Sequence, residues 1–145
     1  MKKKAGGLLE RAISIAVEGH RGQQDRNGAP YILHPLRMMC LVETEEQKIV
    51  AVLHDVVEDT DWTSKDLKRE GFGDQILEAL DCLTKREGED YKDFVQHSAS
   101  NSLARRVKIA DLEDNIDVRR LKRVGEKDKE RLKKYLRSWR ELRRK

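Results

Sequence analysis

Apolar positions recur at helical spacing along most of the chain. Leu8, Ala12, Ile15, Ala16 and Gly19 fall every three or four residues and predict a first amphipathic helix ending near His20. The stretch GQQDRNGAP that follows is rich in turn formers and poor in apolar residues, which predicts a loop. His34-Pro35 then opens a short helix, because proline is tolerated at the first helical position. Thr44 and Gln47 have the spacing of a capping box, and Glu45 and Glu46 suit the positive end of the helix dipole. The helix they start carries Ile49, Val50, Val52 and Leu53, is apolar nearly all round, and should form the buried centre.

Thr63 is placed to cap a short helix that stops at Gly71, and another runs from about Asp74 to Leu83. After the charged loop TKREGED, helices are predicted around Tyr91 to Ser98 and from about Ser102 to Leu121. Leu132, Tyr135, Leu136, Trp139 and Leu142 then form one apolar stripe, expected to dock on the body rather than on a partner. No repeat, linker or low-complexity segment interrupts the pattern. It predicts one all-α domain over residues 1–145, with about seven or eight helices.

A chain of 145 residues can bury one modest core. With 40% charged and 5% aromatic residues, it suits helices with solvated outer faces better than a sandwich or barrel. The net charge of +4 is unevenly spread: Arg119 to Lys145 hold fourteen Lys/Arg against four Asp/Glu, so the remainder is acidic. The acidic body favours a cation, whereas the basic tail is either a solvated helix face or a contact for phosphates or nucleic acid. Cys40 and Cys82 lack metal-type spacing and read as reduced, mostly buried thiols. The N-terminus briefly imitates a signal peptide, but Glu10 and Arg11 interrupt its apolar stretch. No apolar run approaches membrane-spanning length, so the expected setting is the cytoplasm, without a membrane partner.

Four features point to chemistry beyond packing. His54-Asp55 ends the most apolar helix, where an ionisable pair is costly unless compensated. A divalent cation would compensate it, and a buried His–Asp hydrogen bond would do so equally well. Asp55, Glu58 and Asp59 lie at i, i+3 and i+4 on one helix face, so a metal neutralises them or one carboxyl has a raised pKa. His34 stands before Pro35 with a fixed backbone and an expected exposed ring, weak evidence taken alone. Asp111 sits within the apolar run of KIADLEDN and needs a partner, with Asn115 one turn later on its face. Glu113 and Asp114 are expected to point elsewhere, into solvent.

In combination, H20-x-GQ-x4-G28-x-PYILHP, VLHDVVEDT and VKIADLEDN resemble the HD superfamily. Within it, the chain is similar to the hydrolase domains of Rel/SpoT alarmone enzymes and to free-standing small alarmone hydrolases, over about residues 8–121, with 122–145 a basic amphipathic helix beyond. The resemblance implies an HD-type helical bundle holding one divalent ion, usually manganese, on His34, His54, Asp55 and Asp111. It implies that Glu58 and Asp59 position or deprotonate the attacking water, and that Asn115 contacts the nucleotide. Lys108 would lie nearby and neutralise phosphate charge. Two departures stand out. Where the family carries an arginine that packs on guanine, this chain has Asp25, with Arg26 one position later able to substitute. The family pattern AD-x-L-x-N here reads ADLEDN, so Asp114 adds negative charge near a polyphosphate.

The implied activity is removal of the 3′-pyrophosphate from ppGpp or pppGpp, by hydrolysis alone. One alternative is dephosphorylation of another 2′- or 3′-phosphorylated nucleotide such as NADPH. Others are a non-catalytic nucleotide or nucleic-acid binder, or a purely structural role for the His and carboxylate residues. The intact ligand set and Glu58-Asp59 pair weigh against the non-catalytic binder and make nucleic acid an unfavoured partner.

Overall fold

The computed structural model describes residues 7–144. Among these the chain forms nine α-helices, one of them a single four-residue turn, and one 3-10 turn, with no strand. α1 spans Leu8–Gly19, α2 Leu33–Met39 and α3 Glu45–Leu53, followed by the four-residue turn α4 over Val56–Asp59. α5 covers Ser64–Arg69, α6 Asp74–Cys82, α7 Tyr91–Ala99 and α8 Ser102–Ile116. A 3-10 turn at Val118–Arg120 leads to α9 over Glu126–Arg143.

α3 is the axis of the bundle, packed against α1, α2, α6 and α8. Five consecutive residues, Ile49 to Leu53, are each no more than 2% exposed, as expected of a helix apolar on every side. Its start is the predicted capping box. Thr44 accepts from the Gln47 amide at 3.1 Å, and the Gln47 side chain accepts from the Thr44 amide at 3.2 Å. Thr44→Ala should therefore lower stability by about 1 kcal/mol, read as a shift in the urea midpoint with an unchanged slope. The predicted Thr63 cap also forms, closed by Asp66.

α9 docks on the body through its C-terminal half. Leu142 is buried with Val95 and Leu112, flanked by Trp139 and Ile109, and Trp139 Nε1 donates to Glu113 at 3.3 Å. Glu113 is therefore half-buried and engaged, not solvated. α8 ends at Ile116 rather than near Leu121, because Asp117 leaves helical geometry and accepts from the Arg119 amide, starting the 3-10 turn. Cys40 is exposed, contrary to expectation, since it lies at the C-cap of the short α2 beyond the reach of the core; Cys82 is half-buried. No helix of the described residues is long and apolar enough to cross a membrane.

Candidate metal centre and cleft

The chain breaks at His54-Asp55. α3 ends at Leu53, His54 caps it, and Asp55 has φ −107° and ψ 2°, so α4 restarts in a new direction. That break turns adjacent side chains toward α2 and α8. His54 Nδ1 donates to the Ala51 carbonyl at 2.8 Å, which leaves Nε2 to face Asp55 at 3.0 Å and Asp111 at 3.9 Å. His34 enters from the first turn of α2 with Nε2 2.9 Å from Asp111 Oδ1. Its ring is buried, not exposed as the sequence suggested, because α2 packs on both α3 and α8.

One ligand atom from each of His34, His54 and Asp111 lies within 4.8 Å of the others. Asp55 reaches the same point through His54, and with Glu58 and Asp59 makes an adjoining carboxylate group of the same tightness. The helical break therefore preserves the shared face predicted for these three. Two imidazoles with Nδ1 occupied elsewhere, beside two carboxylates, form a donor set suited to one divalent ion of intermediate hardness. Without such an ion, imidazoles and carboxylates pair with each other. Burial pulls the His34 pKa down, but hydrogen bonds to Asp111 and Asp114 outweigh it and raise the value to about 9. Asp111 is pushed up by burial yet ends well below the usual carboxylate range, chiefly through the Lys108 ammonium and His34.

Burial raises Glu58, the Lys85 amide hydrogen bond at 2.9 Å opposes that, and the charges of Asp55 and Asp59 add to it, leaving a net upward shift. Asp59 is also raised, by burial and then Asp55. Asp59 is joined to the motif loop through its carbonyl, which accepts from Gln23 Nε2 at 2.9 Å, while Gln23 Oε1 meets His20 Nδ1 at 2.8 Å. Tyr31 donates to Asp55 and lies between the His20 and His34 rings, at 4.9 and 5.7 Å.

The centre opens into a cleft of about 560 Å³. Asn115 lines it while donating to Asp111 at 3.1 Å. Arg26 also lines it, from an exposed position in the loop after α1. Asp25 holds that loop in shape: its carboxylate accepts from the amides of Asn27 at 2.8 Å and Ala29 at 3.0 Å. Gly28, at φ +83°, completes the turn in a conformation that side chains resist. Lys108 is not on the cleft wall. It is buried against Phe94 with Nζ 2.8 Å from Asp111 Oδ2.

Asp114 also departs from expectation. It is buried, and its carboxylate contacts His34, Arg37 and Arg120, so its charge is compensated and does not stand bare in the cleft. Sequence reasoning missed Arg37, although it lies at i+3 from His34 in a seven-residue apolar helix, a spacing that flags it. It also missed Arg131 and Tyr135, which wall the cleft from α9 beside Leu132. Tyr135 belongs by spacing to the apolar stripe read as docking on the body, and Arg131 lies outside that stripe.

No family model matches the chain. It is 32% identical over 120 residues to a guanosine-3′,5′-bis(diphosphate) 3′-pyrophosphohydrolase of Aquifex aeolicus, covering 74% of this chain and 17% of that protein. It is also 32% identical over 137 residues to a GTP pyrophosphokinase of Streptomyces coelicolor, covering 85% of this chain and 16% of that protein. The chain thus spans about one sixth of the length of these curated relatives. A solved structure described as a metazoan ortholog of SpoT that hydrolyses ppGpp shares the fold, with TM-score 0.76 and 20% identity over 97% of this chain and 88% of that one.

Proposed function

This chain belongs to the Rel/SpoT hydrolase-like HD domains, and from that premise we propose that it removes the 3′-pyrophosphate of ppGpp or pppGpp, leaving GDP or GTP. The observation that supports the reading is the cluster of His34, His54 and Asp111, with Asp55 3.0 Å from His54, beside a cleft that Glu58 also lines. These four would hold one divalent ion, manganese by family resemblance. When bound, that ion lowers the pKa of water and offsets charge growing on the phosphate.

The residues of the chain supply the rest. The two Nδ1 hydrogen bonds fix both imidazoles, and Nε2 of each would be the atom that holds the ion. Glu58, its Oε1 held by the Lys85 amide and its pKa raised by burial and then by Asp55 and Asp59, takes a proton from the attacking water, with Asp59 beside it. Tyr31 holds Asp55 in place. Asn115 contacts the nucleotide, and Arg26, presented by the Asp25 turn, packs on the base. Lys108 supports the phosphate site indirectly, by fixing Asp111. We place the reaction in the cytoplasm, within a single hydrolase domain that has no nucleic-acid or membrane partner.

Asp25 favours a second reading. It stands where the family's guanine-packing arginine would be and is committed to its own turn, so a ribose phosphate such as that of NADPH is the other substrate class. The test is to incubate manganese-loaded and metal-stripped protein with ppGpp and with NADPH. Metal-dependent release of pyrophosphate from ppGpp is the expected result. Orthophosphate from NADPH alone would replace ppGpp by the second class, and no release from either by loaded protein would overturn both.

A further inference from the structure

Asp114 borders the cleft yet is only 5% exposed, its carboxylate turned onto its neighbours. Its Oδ2 is 2.6 Å from His34 Nδ1, shorter than any of its contacts with arginine. Oδ1 accepts from Arg37 Nε at 2.8 Å, and Oδ2 from Arg37 Nη2 at 3.1 Å. Arg120 Nη2 donates to the Asp114 carbonyl at 2.8 Å and approaches Oδ2 at 3.4 Å. Three elements thus meet on one carboxylate: α2 through His34 and Arg37, α8 through Asp114 itself, and the 3-10 turn through Arg120.

A buried carboxylate is unfavourable without compensation, and two guanidiniums supply that charge. If Asp114 served only to neutralise arginines, the His34 ring would have no reason to be the nearest donor. Instead the carboxylate is placed to select the tautomer: an Nδ1 proton committed to Asp114 leaves Nε2, on the side of Asp111 and His54, to serve a metal ion when one is bound. His54 gains the same definition from a backbone carbonyl. His34 lies in the opening turn of a short helix before Pro35, where its carbonyl neighbours do not fill that place, and depends on a side chain 80 residues away.

We infer that Asp114 is a positioning residue of the metal centre, fixing the ring and tautomer of His34, and that Arg37 and Arg120 hold its carboxylate in place. The inference rests on the reading of His34 as a metal ligand. Partners of this kind, when removed, weaken metal binding about 10- to 100-fold.

The test uses zinc, a diamagnetic probe, on the full chain. Zinc affinity is measured by competition with a chromogenic chelator for wild type, Asp114→Ala and Asp114→Asn. Nitrogen-15 NMR of the histidine rings is recorded on zinc-loaded wild type. We expect one zinc per wild-type chain, a loss of about 10- to 100-fold in Asp114→Ala, and partial recovery in Asp114→Asn, whose amide oxygen still accepts one hydrogen bond. His34 should carry a slowly exchanging Nδ1 proton with zinc on Nε2. Unchanged affinity in a folded Asp114→Ala overturns the inference, as does a wild-type His34 protonated on Nε2. The NMR measurement decides even if the alanine variant does not fold. A wild-type protein that binds no zinc overturns the metal reading itself, whereas full zinc binding with no Asp114 dependence overturns this inference alone.

Discussion

Glu58→Gln lowers the turnover of the manganese-loaded protein about 100- to 10,000-fold, the range expected when a general base is lost. Glutamine keeps the length of the side chain and can still accept the Lys85 amide hydrogen bond that holds Glu58 at the cleft rim. It cannot take a proton. The raised pKa of Glu58, from burial and then the neighbouring carboxylates, brings the group closer to the working range of a base at neutral pH. The variant should bind the same amount of manganese and unfold at the same temperature, because Glu58 is exposed and outside the His34, His54 and Asp111 group. Steady-state pyrophosphate release together with elemental analysis separates these effects. Full turnover by the variant would remove Glu58 from the reaction and leave Asp59 as the base.

The second large effect concerns stability. Lys108→Met should destabilise the metal-stripped protein by about 3–5 kcal/mol, because it leaves the buried Asp111 carboxylate without its nearest full positive charge. Methionine retains most of the packing of the lysine stem against Phe94, so the loss isolates the charge. Loading with a divalent ion should restore much of the difference, since the ion and the ammonium compensate the same carboxylate. Urea unfolding of stripped and loaded protein measures both quantities. Equal losses in the two forms would show that Lys108 does not share Asp111 with a metal. The contact with Asp111 gives Lys108 a place different from the phosphate contact expected from the sequence.

The two halves of α9 show how a single sequence pattern can serve two ends. Leu142 and Trp139 dock on α7 and α8, while Leu132 and Tyr135 turn the same stripe into a wall of the cleft. Periodicity marks a face as apolar. It does not say where along that face the neighbouring helices stop and a cavity begins.

What the sequence determined by itself was local. Helical spacing, the Thr44 and Thr63 caps, the turn around Gly28 and the His54-Asp55 pair inside an apolar run all depend on residues a few positions apart, so short-range physics makes them readable. The resemblance then brought His34 and Asp111 into the same set. Only the tertiary structure decided which ring nitrogen of each histidine faces inward, that Lys108 belongs to Asp111, and that Asp114 is buried between His34, Arg37 and Arg120. On α8, whose polar and apolar residues are not segregated to opposite faces, Asp114 reads as one more solvated charge. Its partners in α2 lie 77 and 80 positions earlier, and their approach depends on the rotation and spacing of helices around α3. Those quantities are set by the packing of the whole bundle, which no local pattern contains.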